Sequence, residues 1–382
     1  MNKIYMDNGA TSFPKAPKVS EAMCNYIEKI GTNVGRGAYE NAFQAQRIIE
    51  ETREMLCKLF NFPTTSNVIF TKNITESMNV MLKGLLKDGD HVIVSPLEHN
   101  AVMRPLTSLA SQGVSFDKAA CDIEGHLVID SIEPLIKANT KAIVMTHASN
   151  VCGTILDLEA VGKIAKKHKL FFIIDGAQTA GLVDIDMARF NADAFAFTGH
   201  KGLLGPQGTG GFLIHDALAN EIPPFIEGGT GSKSDSEEQP MYLPDKYESG
   251  TPNTVGLFGL HAALSYLSET GIEKIRDIEH QRTLQFIEGI KDLADLRIVG
   301  TQDINRRTAV VSLDFSPRDN AEISWMLEQN YGIATRVGMH CAPSAHKALE
   351  TFPQGTVRFS FSSFTTEEEI NIAIKAIKEI MA

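Results

Sequence analysis

A lysine follows a short apolar strand pattern in residues 193–205, which read DAFAFTGHKGLLG. The pattern ends at Thr198, continues into Gly199, His200 and Lys201, and then returns to leucines. A lysine at the end of a strand is usually a solvated terminus. It could instead be held in a cleft for chemistry, because lysine amines form Schiff bases with carbonyl compounds. The ends of the other strands decide between these two interpretations.

Four further apolar strand patterns are followed by polar residues that could do chemistry. These residues are Thr75 behind VIFT, His99 behind HVIVSP, Asn150 behind KAIVMTH, and Asp175 at the end of LFFIID. In open α/β sheets, ligands bind beyond the carboxyl ends of the strands. Taken singly, Thr75 is more simply a helix N-cap, and His99 a surface or capping residue. The Asp175 carboxylate is costly at the end of an apolar strand unless a cation or hydrogen bonds compensate it.

Together the five strand ends match one class of ligand, a phosphorylated aromatic aldehyde. Pyridoxal 5'-phosphate (PLP) needs an amine for a Schiff base, a carboxylate facing its pyridine nitrogen, a flat group against its ring and a phosphate cradle. Lys201 could supply the amine and Asp175 the carboxylate. The helix that is predicted to start near Thr75 could supply the fourth, because hydroxyls and free N–H groups at a helix N-terminus bind phosphate. The sequence therefore predicts a PLP site.

The elements that would position these residues alternate along the chain. From about residue 67, near-continuous apolar strands alternate with amphipathic helical patterns, which indicates a mostly parallel sheet covered on both faces. Residues 227–250 form a predicted long loop, and two helical patterns, 255–270 and 272–293, follow it. We therefore predict a large PLP-binding domain over 15–255. A small α+β domain is predicted to combine 1–14 with 256–382.

Composition excludes several classes of function. The chain has 382 residues, 43% of them hydrophobic, and a net charge of −11, so nucleic acid is a poor partner. No signal peptide or membrane-spanning run is visible, which predicts a cytoplasmic protein that does not enter a membrane. The five cysteines are scattered and contain no CxxC pair, which argues against a disulfide framework and against a metal site.

Eight short motifs, in order across nearly the whole chain, resemble those of a known family, the class V aminotransferases. The set is similar to cysteine desulfurases and selenocysteine lyases. The resemblance implies PLP-dependent transferase fold type I: a mostly parallel seven-stranded sheet with helices on both faces, plus a smaller α+β C-terminal domain. The motifs are DNGATS (7–12), TKNITES (71–77), EHNA (98–101), HASNVCG (147–153), DGAQ (175–178), TGHK (198–201), ESGTPN (248–253) and RVGMHCAP (336–343).

The resemblance also implies a role for each matching residue. Lys201 would carry the cofactor as a Schiff base and move the Cα proton, Asp175 would pair with the pyridinium nitrogen, and His99 would stack on the ring. Gln178 would contact the ring hydroxyl, and Asn150 would also contact the cofactor. The phosphate would be held by Thr75, Thr198 and His200, and by Thr251 of the partner subunit in a homodimer. The substrate would be bound by Asn150, Arg336 and Arg358. Without the resemblance, a solvated strand arginine explains Arg358 equally well.

Cys341 decides which reaction the sequence predicts. A cysteine in a Gly-rich loop can be a nucleophile if its thiolate is stabilised, and His340 and Arg336 are close enough in sequence to do this. An incidental loop cysteine is the alternative. With a PLP site, the expected reaction is attack of Cys341 on the sulfur of L-cysteine, which leaves a persulfide on Cys341 and releases alanine. RVGMHCAP resembles the desulfurase group that has a short, ordered loop around this cysteine.

The sequence departs from the family pattern in three places. Residues 36–39 read Arg-Gly-Ala-Tyr, so Tyr39 stands where the family often has histidine. Ile74 replaces a small hydroxyl residue before Thr75. Residues 229–240 match no pattern that we can assign, so the sulfur acceptor, which could be a protein, stays open.

Two other classes of function stay open at this stage. Another class V PLP enzyme, such as an aminotransferase, epimerase or lyase, would keep Lys201, Asp175 and His99 but have no use for Cys341. A non-catalytic partner protein could keep the fold, although it would have no need of the lysine or the aspartate. Neither cysteine nor selenocysteine is favoured as the substrate by any residue.

Overall fold

The computed structural model describes residues 3–35, 37–233 and 235–382. Its centre is a seven-stranded sheet, in which six strands have the predicted apolar character and the edge strand β4 is more polar. In chain order the strands are β2 (Val68–Thr71), β3 (His91–Val94), β4 (Ser115–Lys118), β5 (Thr140–Thr146), β6 (Phe171–Asp175), β7 (Ala194–Thr198) and β8 (Gly210–Ile214), after a short β1 (Ile4–Tyr5) outside this sheet.

The strand order is β2-β8-β7-β6-β5-β3-β4. Strand β8 runs antiparallel to both β2 and β7, and the other neighbouring pairs are parallel. The carboxyl ends of β3, β5, β6 and β7 therefore share one edge, as the sequence predicts. The prediction of a mostly parallel seven-stranded sheet is confirmed.

Helices cover both faces of the sheet because its strands are apolar on both sides. One face packs on α1 (Val19–Asn25), α2 (Glu40–Leu59), α5 (Leu158–His168) and α8 (Thr254–Thr270), and the other on α3 (Ile74–Leu85), α4 (Asn100–Ala110) and α7 (Asp216–Glu221). Along β3, Ile93 belongs to the first cluster, and Val92 and Val94 belong to the second. This alternation follows the period of two in a strand. A π-helical turn, Tyr26–Ile30, extends α1, and α6 (Met187–Phe190) is a single short helix.

A second, smaller α+β unit has its own core. Its antiparallel sheet has the order β12-β13-β10-β9, and β1 pairs in parallel with β11. The strands are β9 (Arg297–Val299), β10 (Val310–Asp314), β11 (Ile333–Ala334), β12 (Arg336–Gly338) and β13 (Thr356–Ser360). The helices after α8 are α9 (Ile272–Ile290), α10 (Asn320–Tyr331), α11 (Pro343–Ala348) and α12 (Glu367–Met381).

The N-terminal segment joins this smaller unit through the pairing of β1 with β11. Helix α8 packs against α1 and α2 and contributes Leu257, Leu260 and Leu264 to the core beneath the large sheet. The division at residue 255 stays a prediction. Among the described helices, none combines the length and the apolarity that crossing a membrane requires.

Candidate active site

Lys201 lies in a tight turn directly after β7. Backbone hydrogen bonds close this turn: Gly205 N–H donates to the Gly199 carbonyl (2.8 Å), and Leu204 N–H donates to the Lys201 carbonyl (2.8 Å). Burial lowers the pKa of the Lys201 amine to about 8, against the opposing charge of Asp175, and Arg358 and Arg336 lower it further. Part of the amine is therefore neutral near pH 7, which a Schiff-base lysine needs.

Asp175 ends β6 and is buried. Its Oδ1 atom accepts a hydrogen bond from Ala177 N–H (2.9 Å). Burial raises the pKa of Asp175, while the Ala177 hydrogen bond and the charge of Lys201 act in the other direction. A protonated pyridine nitrogen would give this carboxyl the cation that a buried acid requires.

His99 is the N-cap of α4, which is the bland interpretation that the sequence left open. Its Nδ1 atom accepts a hydrogen bond from Ala101 N–H (3.0 Å), so the neutral ring carries its proton on Nε2. Burial lowers the pKa of His99 to about 4, and the charge of Lys201 acts in the same direction. The ring is therefore a neutral, flat surface at pH 7, and the capping role leaves it free to stack on a cofactor.

The predicted phosphate contacts differ in their surroundings. Helix α3 starts at Ile74 and is capped by Asn73, whose side chain accepts Glu76 N–H, so Thr75 is not the N-cap. Thr75 is exposed in the first turn, and Thr198 is buried at the end of β7. The His200 Nδ1 atom is buried and has no hydrogen-bond partner among the described residues. An unsatisfied buried ring nitrogen is uncommon, and a phosphate oxygen would satisfy it.

The residues predicted to bind substrate converge beside the smaller unit. Arg358, on β13, is buried and donates to the Asn150 carbonyl (3.0 Å). The Asn150 side chain donates to the His340 carbonyl (2.7 Å). The alternative of a solvated strand arginine is therefore wrong for Arg358. Arg336, on β12, is about half exposed, and its Nη1 atom lies 3.8 Å from Asp7 Oδ2.

Cys341 is exposed in the turn between β12 and α11. Both His340 (φ 46°) and Cys341 (φ 57°) have left-handed backbone conformations, which are uncommon for residues other than glycine. The Cys341 carbonyl accepts Asn100 N–H (2.8 Å), which holds this turn against the start of α4. One open cleft has Thr75, His99 and Cys341 among its lining residues.

The expectation that His340 could stabilise the Cys341 thiolate is wrong. The His340 side chain is buried, and its Nε2 atom pairs with Thr356 Oγ1 (3.0 Å). Burial places the pKa of His340 far below its ordinary value, and the charge of Arg358 acts in the same direction. The ring is neutral at pH 7 and supplies no positive charge. Of the two residues that the sequence offers for stabilising the thiolate, Arg336 is therefore the one that carries a positive charge.

Gln178 and Thr251 occupy different surroundings. Gln178 is buried, and its Nε2 atom donates to the Gly9 carbonyl (3.1 Å). Gln178 and Lys201 line a small cavity beside the N-terminal segment. Thr251 is exposed ahead of α8 and lines neither this cavity nor the cleft at Cys341. Its predicted contact with a neighbouring subunit's phosphate stays a prediction.

The structure shows where the three departures from the family pattern lie. Arg36 lies outside the described residues, and Tyr39 is exposed at the start of α2. Ile74 is buried as the first residue of α3, so only its backbone would be available to a phosphate there. Within 229–240, most of the residues that the structure describes are exposed.

Sequence reasoning missed two acids at this site. Asp7 forms an ion pair with Arg358 (2.8 Å), and Glu98 is fully buried beside His99. Both lie within quoted motifs, DNGATS and EHNA, so their positions were visible. Their partners were not, because the partners are distant in the sequence.

The residues present fit PLP. The described residues include a lysine of lowered pKa, a buried aspartate with no charged hydrogen-bond donor among them, a neutral flat imidazole and a His200 ring nitrogen that none of them satisfies. Lys201 would hold the cofactor covalently, and Asp175 would face its ring nitrogen. Within the described residues, no group of three potential metal-binding side chains is present.

Comparison with known proteins gives consistent matches over the full length. The class V aminotransferase family model matches residues 4–372. A probable cysteine desulfurase of Pyrococcus abyssi is 33% identical, and the alignment covers 99% of this chain and 94% of the relative. A probable cysteine desulfurase of Methanothermobacter thermautotrophicus is 32% identical with the same coverage.

Solved structures agree with this assignment. An apo cysteine desulfurase from Thermococcus onnurineus superposes with a TM-score of 0.93 at 31% identity, covering 99% of this chain and 94% of that one. A cysteine desulfurase from Escherichia coli superposes with a TM-score of 0.89 at 27% identity, with the same coverage. This chain therefore belongs to the class V aminotransferase family of PLP-dependent enzymes.

Proposed function

We propose that this chain is a PLP-dependent cysteine desulfurase, which converts L-cysteine to L-alanine and takes the sulfur as a persulfide on Cys341. The observation that carries the proposal is the position of Cys341. It is exposed, held in a left-handed turn, and lines the same cleft as His99. The names of the relatives support the same reaction.

The residues of this chain divide the first half of the reaction among them. Bound PLP draws electrons from the substrate Cα and makes the Cα proton acidic. Lys201, with a pKa of about 8, can accept that proton and return it. Arg358 would bind the substrate carboxylate, because a guanidinium matches two carboxylate oxygens. The neutral His99 ring would exclude water from one face of the cofactor.

The second half transfers sulfur to Cys341. The Cys341 thiolate attacks the sulfur atom of L-cysteine, so a sulfur–sulfur bond forms as the carbon–sulfur bond breaks. The electron pair of the broken bond goes to carbon, which takes up one proton and becomes the methyl group of alanine. The atoms balance without an external oxidant, because the carbon is reduced as the two sulfur atoms are oxidised.

Mass spectrometry after a brief exposure to L-cysteine tests the proposal. Residue 341 is expected to gain one sulfur atom, and Cys341→Ala is expected to release no sulfide. Cys24→Ala is the matched control, because Cys24 is also exposed but lies on α1. If Cys341→Ala keeps the wild-type rate, or if a keto acid replaces alanine as the product, the enzyme is another class V enzyme that does not use Cys341.

Finer features of the proposal come from the resemblance. The enzyme would be a cytoplasmic homodimer that passes its persulfide sulfur to an acceptor protein, for example in iron–sulfur cluster assembly. Ile27 and Phe43 are large exposed apolar side chains that a subunit interface would cover. Selenocysteine would be a second substrate, and Cys341→Ala would keep that activity because selenium leaves carbon more readily than sulfur does.

A further inference from the structure

Glu98 is a fully buried acid that directly precedes His99. Its Oε1 atom accepts two hydrogen bonds, from the Ser95 hydroxyl (2.5 Å) and from Thr146 N–H (2.7 Å). Its Oε2 atom is buried and has no hydrogen-bond partner among the described residues. Because a buried carboxylate with one bare oxygen is costly, the surroundings favour the neutral acid.

The hydrogen bonds of Glu98 lead to Asp175. Thr146, whose N–H Glu98 binds, is the direct neighbour of Asp175 in the register of β5 and β6. The next residue, His147, donates its N–H to the Asp175 carbonyl (2.9 Å). Glu98 therefore connects the start of α4, where His99 lies, to the strand end that carries Asp175.

Asp175 is also the charged group that acts on Glu98. Burial raises the pKa of Glu98 to about 8, and the charge of Asp175 raises it, against the lowering by the Ser95 and Thr146 hydrogen bonds. The charge of Lys201 lowers the pKa of Asp175. Two buried carboxyls that act on each other through their charges do not both ionise readily, so one of the pair keeps its proton.

We propose that Glu98 is a positioning residue that keeps its proton in the working enzyme. In this role it fixes the His99 and Asp175 segments relative to each other. It also leaves Asp175 as the one carboxylate of the pair, which would face the pyridine nitrogen of bound PLP. The proposal rests on the PLP site and not on the desulfurase reaction. Its tests therefore use cofactor binding and protonation rather than turnover.

Two substitutions distinguish the effect of the Glu98 proton from the effect of the size of its side chain. Glu98→Gln keeps the size and an accepting oxygen, and it places an N–H group where the neutral acid has its O–H. Glu98→Met has a similar volume but cannot accept the two hydrogen bonds. Glu279→Gln is the matched control, because Glu279 is another buried acid, on α9, whose pKa burial raises to about 8.

Infrared spectroscopy of the apo protein gives the first readout. At pH 7 the wild type is expected to show the C=O stretch of protonated carboxyl groups, and Glu98→Gln and Glu279→Gln are each expected to remove a separate part of it. If the carboxyl bands of the wild type and Glu98→Gln are identical at pH 7, Glu98 is ionised and the proposal is wrong.

The pH dependence of thermal unfolding gives a second readout. An acid whose pKa is higher in the folded than in the unfolded protein destabilises the fold as pH rises from the unfolded value, about 4.3, to the folded value. The melting temperature of apo Glu98→Gln minus that of the wild type is therefore expected to increase from about pH 5 to pH 8. Above pH 8 this difference is expected to stay constant. An equal pH dependence in both proteins would contradict a protonated Glu98.

Equilibrium binding of PLP gives the third readout. Glu98→Gln is expected to bind PLP within about twofold of the wild type, and Glu98→Met about tenfold more weakly, because the latter loses two buried hydrogen bonds. Wild-type affinity in a folded Glu98→Met would overturn the positioning role. If Glu98→Met does not fold, the three readouts on Glu98→Gln still decide, since weak PLP binding by that variant would require the ionised form.

Discussion

Asp7 and Arg358 form an ion pair that joins the N-terminal segment to β13, with Oδ1 of Asp7 2.8 Å from Nη2 of Arg358. The Arg358 Nη1 atom donates to the Asn150 carbonyl, and its Nε atom is buried without a partner among the described residues. The guanidinium is therefore fixed in orientation but still has unused donor capacity. A substrate carboxylate that reaches this arginine would meet a group that is already oriented.

Replacing Asp7 with Asn should weaken the binding of cysteine while leaving PLP bound. The amide keeps the size of the side chain but removes the charge that orients Arg358. A hydrogen bond to a charged group contributes roughly 1.5–3 kcal/mol, so we expect kcat/KM to fall by about 10- to 100-fold, mainly through KM. Asp184→Asn, which breaks the exposed pair between Asp184 and Arg189, is the control and should change neither constant. An unchanged KM in Asp7→Asn would show that the pair is only structural.

The rate at which PLP attaches to the apo protein should depend on pH differently from the rate at which PLP reacts with an ordinary lysine amine. Only the neutral amine attacks the aldehyde, and burial lowers the pKa of Lys201 to about 8. The loading rate, followed by the visible absorbance, should therefore rise with pH below about 8 and level above it. Nα-acetyl-lysine treated with the same PLP solutions is the control, and its rate should keep rising towards pH 10. A protein rate that also rises to pH 10 would contradict the lowered pKa. Lys201→Ala should not develop the absorbance of the aldimine.

Replacing His200 with Leu should weaken PLP binding selectively. The buried Nδ1 atom of His200 has no partner among the described residues, and the cofactor phosphate is its expected partner. Loss of one hydrogen bond to a charged phosphate should raise the Kd for PLP by roughly 10- to 100-fold. His168→Asn, at an exposed histidine paired with Glu133, is the control in the same equilibrium dialysis. Equal affinities for both variants would place the phosphate elsewhere.

The sequence predicted the central sheet well because its strands are buried on both faces. β5, β6 and β7 are continuous apolar runs, and such runs between amphipathic helices have few other interpretations. β4 was missed, because Ser115–Lys118 is a short edge strand that is partly exposed and carries two charged residues. A strand of this kind has no hydrophobic pattern that separates it from a loop.

The sequence also placed the polar strand ends correctly but could not give their partners. Asp7 and Arg358 are 351 positions apart, and Glu98 binds a backbone N–H 48 positions away. Such pairs depend on how the strands are arranged, which local patterns do not determine. For His340 the error is that closeness in sequence was taken as contact between side chains. Cys341 is exposed, whereas the side chain of His340 is buried against Thr356.

The proposal that Thr251 acts in the site of a partner subunit can be tested by mixing two inactive variants. Lys201→Ala lacks the lysine that is proposed to form the Schiff base, and Thr251→Asp places a carboxylate where the phosphate of the neighbouring site is expected. In a mixed dimer, the site of the Thr251→Asp subunit has its own Lys201 and receives an unchanged Thr251 from the other subunit. If Thr251 acts across the interface, that site should work, and the mixed dimer should recover about half of the wild-type activity.

If Thr251 instead acts within its own subunit, every site in the mixed dimer is damaged and no activity returns. Each homodimer alone should stay inactive, which is the control for this experiment. A purified mixed dimer, isolated with two different affinity tags, avoids counting homodimers. Thr251 is exposed in the single chain and lines neither cavity of the site, so recovery of activity would explain how an exposed threonine joins the cofactor site.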